Sequence, residues 1–116
     1  MESILTSIKK LLGIESYYEH FDQDIIIHIN SAFMILTQLG VGPSNGFVIY
    51  DENSLWSDFI RDDVKIEAVK TYVYLKVKLV FDPLSLSSTA IESINQTIRE
   101  LEWRLNLAAE TRESEN

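Results

Sequence analysis

The side chains that could carry out catalysis or hold a metal ion are few and scattered along the chain. There is no cysteine, which excludes a thiol nucleophile, a disulfide framework and a thiolate metal site. His20 and His28 lie on different parts of the chain, whereas a zinc site would join them with carboxylates at fixed positions. We therefore interpret both as surface or helix-face residues, and predict neither a metal nor a cofactor.

Two pairs of acidic residues, Asp22 with Asp24 and Asp62 with Asp63, could act as catalytic carboxylates. The second pair could also hold a divalent cation together with Glu67. Each pair lies at the predicted start of a helix, where acidic side chains accept hydrogen bonds from backbone amides and interact favourably with the helix dipole. Capping is the favoured interpretation, and a cation-dependent enzyme is the weakest of the functions considered.

Three glycines, Gly40, Gly42 and Gly46, lie in a long loop at residues 40–53. A phosphate-binding loop would continue into Lys-Ser or Lys-Thr and the N-terminus of a helix. This loop continues instead into residues 47–50, whose pattern indicates a short extended segment, so we assign the glycines to turns. The sequence offers no nucleophile with a base, no metal cluster and no phosphate cradle, and therefore indicates a protein that is not an enzyme.

The composition is that of one soluble globular domain. The chain has 116 residues, of which 46% are hydrophobic and 24% charged. Its apolar stretches are interrupted well before the roughly 18 residues that a membrane span requires, and its first residues have helical spacing, unlike a signal peptide. The net charge of -8 disfavours tight DNA binding, although an acidic protein could surround DNA without binding it tightly.

Helical periodicity and turn residues predict an all-α fold. A short helix ends at Gly13, and a second short helix around Trp56 and Phe59 is capped by Ser54. Residues 64–81 are rich in β-branched residues and also fit a strand, but their length favours a helix. The predicted fold is a small bundle of three main helices, with short N-terminal and connecting helices and a long loop. The helices are expected at residues 2–12, 22–39, 64–81 and 88–109.

The predicted single domain covers residues 1–110, and the polar residues 111–116 are expected to form a flexible acidic tail. Apolar spacing predicts a core that contains Ile29, Phe33, Val73, Ile94, Ile98 and Leu101.

Several apolar residues lie off these core stripes. Ile27 and Met34 fall on another side of the second helix, and Trp103 with Leu107 on another side of the last one. The aromatic side chain of Trp56 could equally belong to the core or to an interface. The helices are thus apolar on more faces than a small monomer can bury, which indicates contact with another subunit.

Four segments resemble, in order and spacing, a family of small phage proteins. They are the opening helix SIKKLLGI, then DIIIHINSAFMILTQLGVGP with its loop GFVIYDENSLWSDFI, then KTYVYLKVKLVFDP, and last ESINQTIRELEWRLN. Together they span nearly the whole chain. The sequence is similar to the head-tail connector proteins, also called adaptor or head completion proteins, of long-tailed phages and related prophages.

This resemblance implies an all-α subunit of the virion neck, assembled in the cytoplasm of the bacterial host. Such subunits form a homo-oligomeric ring under the portal protein after DNA packaging and match its twelvefold symmetry. One side of the ring docks on the portal, and the other receives a stopper or tail-completion protein. DNA passes through the lumen without specific binding, and the net charge suggests that a negative lumen repels DNA phosphates.

The resemblance also implies two sets of contact residues. The end of the last helix and the tail would meet the portal through Trp103, Leu107, Glu110, Arg112 and Glu113. The long loop and the short helix after it would contact a neighbouring subunit through Phe47, Ile49, Tyr50 and Trp56. The rival interpretation from another class is a small helical regulator that binds protein in the cytoplasm. Sizing at low concentration distinguishes the two, because a regulator would be a dimer.

Overall fold

The structure is a computed structural model that describes the backbone of residues 2–115 and the side chains of residues 2–62 and 64–111. This part of the chain contains helices and loops but no strand, so the predicted all-α bundle is confirmed. Residues 64–81 are helical, as their length indicated. The elements are α1 (Ile4–Leu11), α2 (Asp22–Gln38), α3 (Trp56–Phe59), α4 (Asp63–Phe81), a 3-10 turn (Pro83–Ser85) and α5 (Ser88–Glu115).

Side-chain caps fix the start of the two longest helices. Asp62 Oδ1 accepts hydrogen bonds from the N–H groups of Val64 (3.0 Å) and Lys65 (3.2 Å), which confirms the capping role predicted for this acidic residue. Ser87 Oγ accepts from the N–H of Ala90 (3.1 Å) and caps α5. Both caps compensate backbone donors that have no partner within the helix.

Two predicted caps were wrong. Ser54 does not cap α3; the Asp58 carboxylate instead accepts from the N–H of Leu55 (2.8 Å). Asp22 begins α2 without capping it, because its carboxylate pairs with Lys9 Nζ (2.8 Å). Lys9 is only 2% exposed and also donates to the carbonyl oxygen of Ser16 (3.0 Å). This buried ion pair joins the end of α1 to the start of α2.

The core lies around α4, which packs against both α2 and α5. The predicted core residues Ile29, Phe33, Val73 and Ile98 are all buried. Two others, Ile94 and Leu101, are only half-buried, so their assignment to the interior was wrong. They lie on α5 and pack against the edge of the core, since this helix is largely exposed and its only buried apolar residues in the described part are Ile98 and Leu105.

Tyr72 is a fully buried residue of α4 that holds α5 in place. Its hydroxyl donates a hydrogen bond to a carboxylate oxygen of Glu102 (2.6 Å). Burial, together with this hydrogen bond, raises the pKa of Tyr72 well above its ordinary value. The phenol therefore stays neutral and serves as a donor between the two helices.

The last helix is longer than predicted. Its backbone remains helical to Glu115, past the expected end near residue 109. Residues 110–115 contain neither glycine nor proline, and Glu and Arg are good helix formers, so nothing in the sequence stops the helix earlier. The flexibility of the tail stays a prediction.

The long loop is held against α2 by the side chain of Asn30. Its Oδ1 accepts from the N–H of Ile49 (2.8 Å), and its Nδ2 donates to the carbonyl oxygen of Ile49 (2.9 Å). One amide side chain thus satisfies both backbone groups that a neighbouring strand would otherwise pair. The loop therefore has a defined position although residues 47–50 belong to no strand.

Candidate interaction surfaces

Three of the residues predicted to contact the portal, Trp103, Leu107 and Glu110, lie on the outer face of α5. Trp103 is 64% exposed, and Leu107 and Glu110 are also exposed. They point away from Ile98 and Leu105, as the helical spacing predicted. The side chains of Arg112 and Glu113 lie outside the described residues. The exposed tryptophan is the largest apolar group that this helix leaves in water.

The residues predicted to contact a neighbouring subunit differ in how deeply they are buried. Ile49 and Trp56 are buried inside the subunit, and Trp56 Nε1 donates to Ser7 Oγ (2.8 Å). Phe47 is half-buried against the core, whereas Tyr50 is 78% exposed. Ile49 and Trp56 therefore anchor the loop to the core, and Tyr50 is the most exposed member of the set.

A first apolar groove, named here the α2 groove, lies between the outer face of α2 and the loop. It encloses about 520 Å³, and no charged residue lines it. Ile27 is 61% exposed there, and Met34 is exposed to a similar extent. The off-stripe positions of these two residues predicted this surface, but Val48, which is also exposed, was missed. The residues that form its walls include Ile27, Asn30, Met34, Phe47 and Val48.

A second groove, named here the Trp103 groove, lies between α5 and the segment that leads into α4. It encloses about 790 Å³ and combines an apolar wall with a basic rim. The basic residues were not singled out from the sequence, because they are far apart along the chain and only the fold brings them together. The residues that form this groove include Ile60, Arg61, Lys65, Trp103, Arg104 and Leu107.

Those residues with catalytic potential whose side chains the structure describes form no reactive constellation, and the side chain of Asp63 lies outside them. The imidazole of His20 packs edge-on against Phe21 (4.9 Å between ring centroids), and Asp62 is used as a helix cap. Within the described residues no group of three or more His, Asp or Glu side chains could hold a metal ion. At the surface, Lys70 of α4 donates a hydrogen bond to the carboxylate of Glu2 near the N-terminus. This hydrogen bond lowers the pKa of Glu2. No described helix is long and apolar enough to cross a bilayer.

The described part of the protein is helical and presents the two exposed grooves described above. Comparison with known proteins adds a family assignment. A family model described as phage connector protein matches residues 4–112. The chain belongs to the phage connector protein family, which implies a structural role in the phage particle. No curated protein and no solved structure shows a significant match.

Proposed function

We propose that this protein is the subunit of a closed ring in the phage neck. The ring attaches to the portal vertex after DNA packaging and bridges the head to the stopper or tail-completion protein. The observation that carries this proposal is the combination of connector-family membership over residues 4–112 with two exposed grooves on one small subunit. Exposed apolar patches on a soluble subunit are typical of interaction sites.

The two grooves favour a ring over a simple dimer. They differ in chemistry, since one is uncharged and the other has a basic rim. Two different surfaces on each subunit allow head-to-tail contacts, and these generate rings when the rotation closes. A twelvefold ring, assembled in the host cytoplasm, would match the symmetry proposed for the portal.

We assign the portal contact to the end of α5 and the residues that follow. Trp103 and Leu107 supply exposed apolar surface, and Glu110 supplies charge beside them. Arg112 and Glu113 continue the same segment. Tryptophan and arginine are enriched at the energetic centres of interfaces, which supports this choice.

The acidic balance of the chain suits a ring around DNA. With a net charge of -8, a ring would repel the phosphate backbone more than attract it. The genome would then pass through the lumen without specific binding.

Co-sedimentation with portal particles tests the proposal. The wild-type protein should sediment with the portal, and a variant that lacks residues 110–116 should stay helical by circular dichroism yet lose most of this binding. Leu84→Ala is the matched control, because Leu84 is fully exposed at the 3-10 turn between α4 and α5. This control should bind like the wild type. If the wild-type protein does not sediment with the portal at any concentration tested, the proposal is refuted.

A further inference from the structure

The basic rim of the Trp103 groove is unusual for so acidic a protein. The chain has 10 basic residues against 18 acidic ones, yet Arg61, Lys65 and Arg104 converge on this groove. Among the described side chains that form it, Asp62 is the one acidic member, and its carboxylate accepts hydrogen bonds from the backbone N–H groups at the start of α4. The groove is therefore locally positive beside an apolar wall.

Much of this positive charge has no acidic partner among the described side chains. Arg104 pairs with Glu100 (2.9 Å), and both side chains are exposed. For Arg61 and Lys65, no ion pair is found with any carboxylate of the described residues. A partner that fits this groove should thus bring acidic side chains next to apolar or aromatic ones.

The same chain presents such a segment on its surface. Val48 and Tyr50 are exposed in the long loop, and the exposed acidic residues Asp51 and Glu52 follow directly. Asp51 Oδ1 accepts from the N–H of Asn53 (2.8 Å), and the Asn30 side chain forms hydrogen bonds with both the N–H and the carbonyl oxygen of Ile49. Because the segment is ordered before binding, little conformational entropy would be lost on contact.

The loop and the Trp103 groove are built on different helices of the fold. The loop packs on α2, the groove is formed by α5, and α4 packs against both of these helices. α2 and α5 approach each other near the end of α2, where Asn106 Nδ2 donates to the carbonyl oxygen of Leu39 (3.2 Å). Two complementary surfaces built on different helices can meet in a head-to-tail contact between copies.

We infer that the Trp103 groove of one subunit packs against the α2 groove and the acidic loop of the next subunit. Arg61, Lys65 and Arg104 then face Asp51 and Glu52, while Trp103 and Leu107 cover the apolar surface around Ile27, Met34 and Val48. This inference rests on the proposed function, since it names the contact that closes the ring. It moves Trp103 and Leu107 from the portal contact proposed above to the contact between subunits, and it limits the portal contact to Glu110 and the residues after it.

Disulfide cross-linking tests the contact, because the natural chain contains no cysteine. Glu52→Cys subunits and Arg61→Cys subunits should form a cross-linked dimer when they are mixed and oxidised on portal particles. A chain with both changes should give a ladder of larger species. The matched control pairs Glu52→Cys with Glu92→Cys, an exposed position near the start of α5, and should give no product above background.

Charge reversal provides a second readout. Arg61→Glu and Glu52→Lys should each weaken self-association measured by analytical ultracentrifugation, by about two- to fivefold per contact as for an exposed ion pair. The double variant should recover most of this loss. Lys10→Glu makes the same charge change at an exposed position on α1 and should not be rescued by Glu52→Lys.

The outcomes separate this inference from the proposed function. If wild-type rings form on the portal but neither cross-linking nor charge rescue is found, the inferred contact is wrong and the connector role stands. A homodimer cross-linked through Met34→Cys would instead place two α2 grooves against each other and would also overturn the inference. If the wild type forms no ring and binds no portal, the proposed function itself fails.

Discussion

Gly42 controls where the long loop leaves α2, and its replacement by alanine should strongly destabilise the subunit. Its φ angle is +82°, a left-handed conformation that costs an L-residue roughly 1–2 kcal/mol. An added Cβ would also lie 2.4 Å from Phe59 Cε1, well inside the ordinary contact distance of 3.4 Å. The Phe59 ring is buried and packs against Phe33 (4.7 Å between centroids), so it has little room to move.

The size of the effect follows from these two contributions. Overpacking of a buried ring costs about 1–3 kcal/mol, and with the backbone term Gly42→Ala should lower the free energy of unfolding by about 2–5 kcal/mol. Phe47 also packs on Phe59 (5.3 Å) and forms part of the α2 groove, so this surface should be disturbed as well. The free energy of unfolding would be measured by urea denaturation followed by circular dichroism.

Gly13→Ala is the matched control for this experiment. Gly13 has the same φ of +82°, but a Cβ there would meet no atom within 4 Å. Its replacement should therefore cost only the backbone term of roughly 1–2 kcal/mol. If Gly42→Ala is no more destabilising than Gly13→Ala, then Phe59 does not pack under the loop as described, and the reasoning about the position of the loop is refuted.

Three further predictions concern the core, the pH dependence and ligands. Ile98→Ala should lower the free energy of unfolding by roughly 2–5 kcal/mol, and Ile94→Ala clearly less, because Ile98 is buried and Ile94 only half-buried; equal losses would contradict this difference. Because the pKa of Tyr72 is raised in the folded state, the unfolded chain loses that proton first, so stability should fall as the pH rises above 10.0. The fall should be less steep for Tyr72→Phe, and an identical pH profile would count against the buried hydrogen bond. Magnesium, zinc and ATP should leave the melting temperature unchanged, whereas a saturable rise of several degrees would reveal a specific ligand site.

The ends of α1, α2 and α4 could be predicted because a glycine or a proline follows each of these helices. Gly13 and Gly40 follow α1 and α2, and Pro83 follows α4, so these three helices begin and end within a few residues of their expected positions, whereas α5 has no such residue at its end and extends further. The outward direction of Trp103 also followed from helical spacing alone. Periodicity identifies the faces of a helix whatever its neighbours are.

What could not be predicted depends on contacts between distant segments. The burial of Lys9 beside Asp22 depends on how α1 meets α2, which the spacing of residues along α1 does not specify. Ile94 lies on the correct face of α5, but periodicity does not say how far the neighbouring helix extends to cover it. The basic rim could not be predicted for the same reason, since Arg61 and Arg104 are far apart in the sequence and only the fold brings them together.

Imaging of the portal with the bound protein tests the central claim most directly. Portal particles mixed with the purified wild-type protein would be examined by electron microscopy, with symmetry averaging of the portal end. The account predicts a closed ring stacked on one end of the portal, with one copy of this chain for each portal subunit. Bare portals, or copies bound singly at scattered positions without a ring, would contradict it.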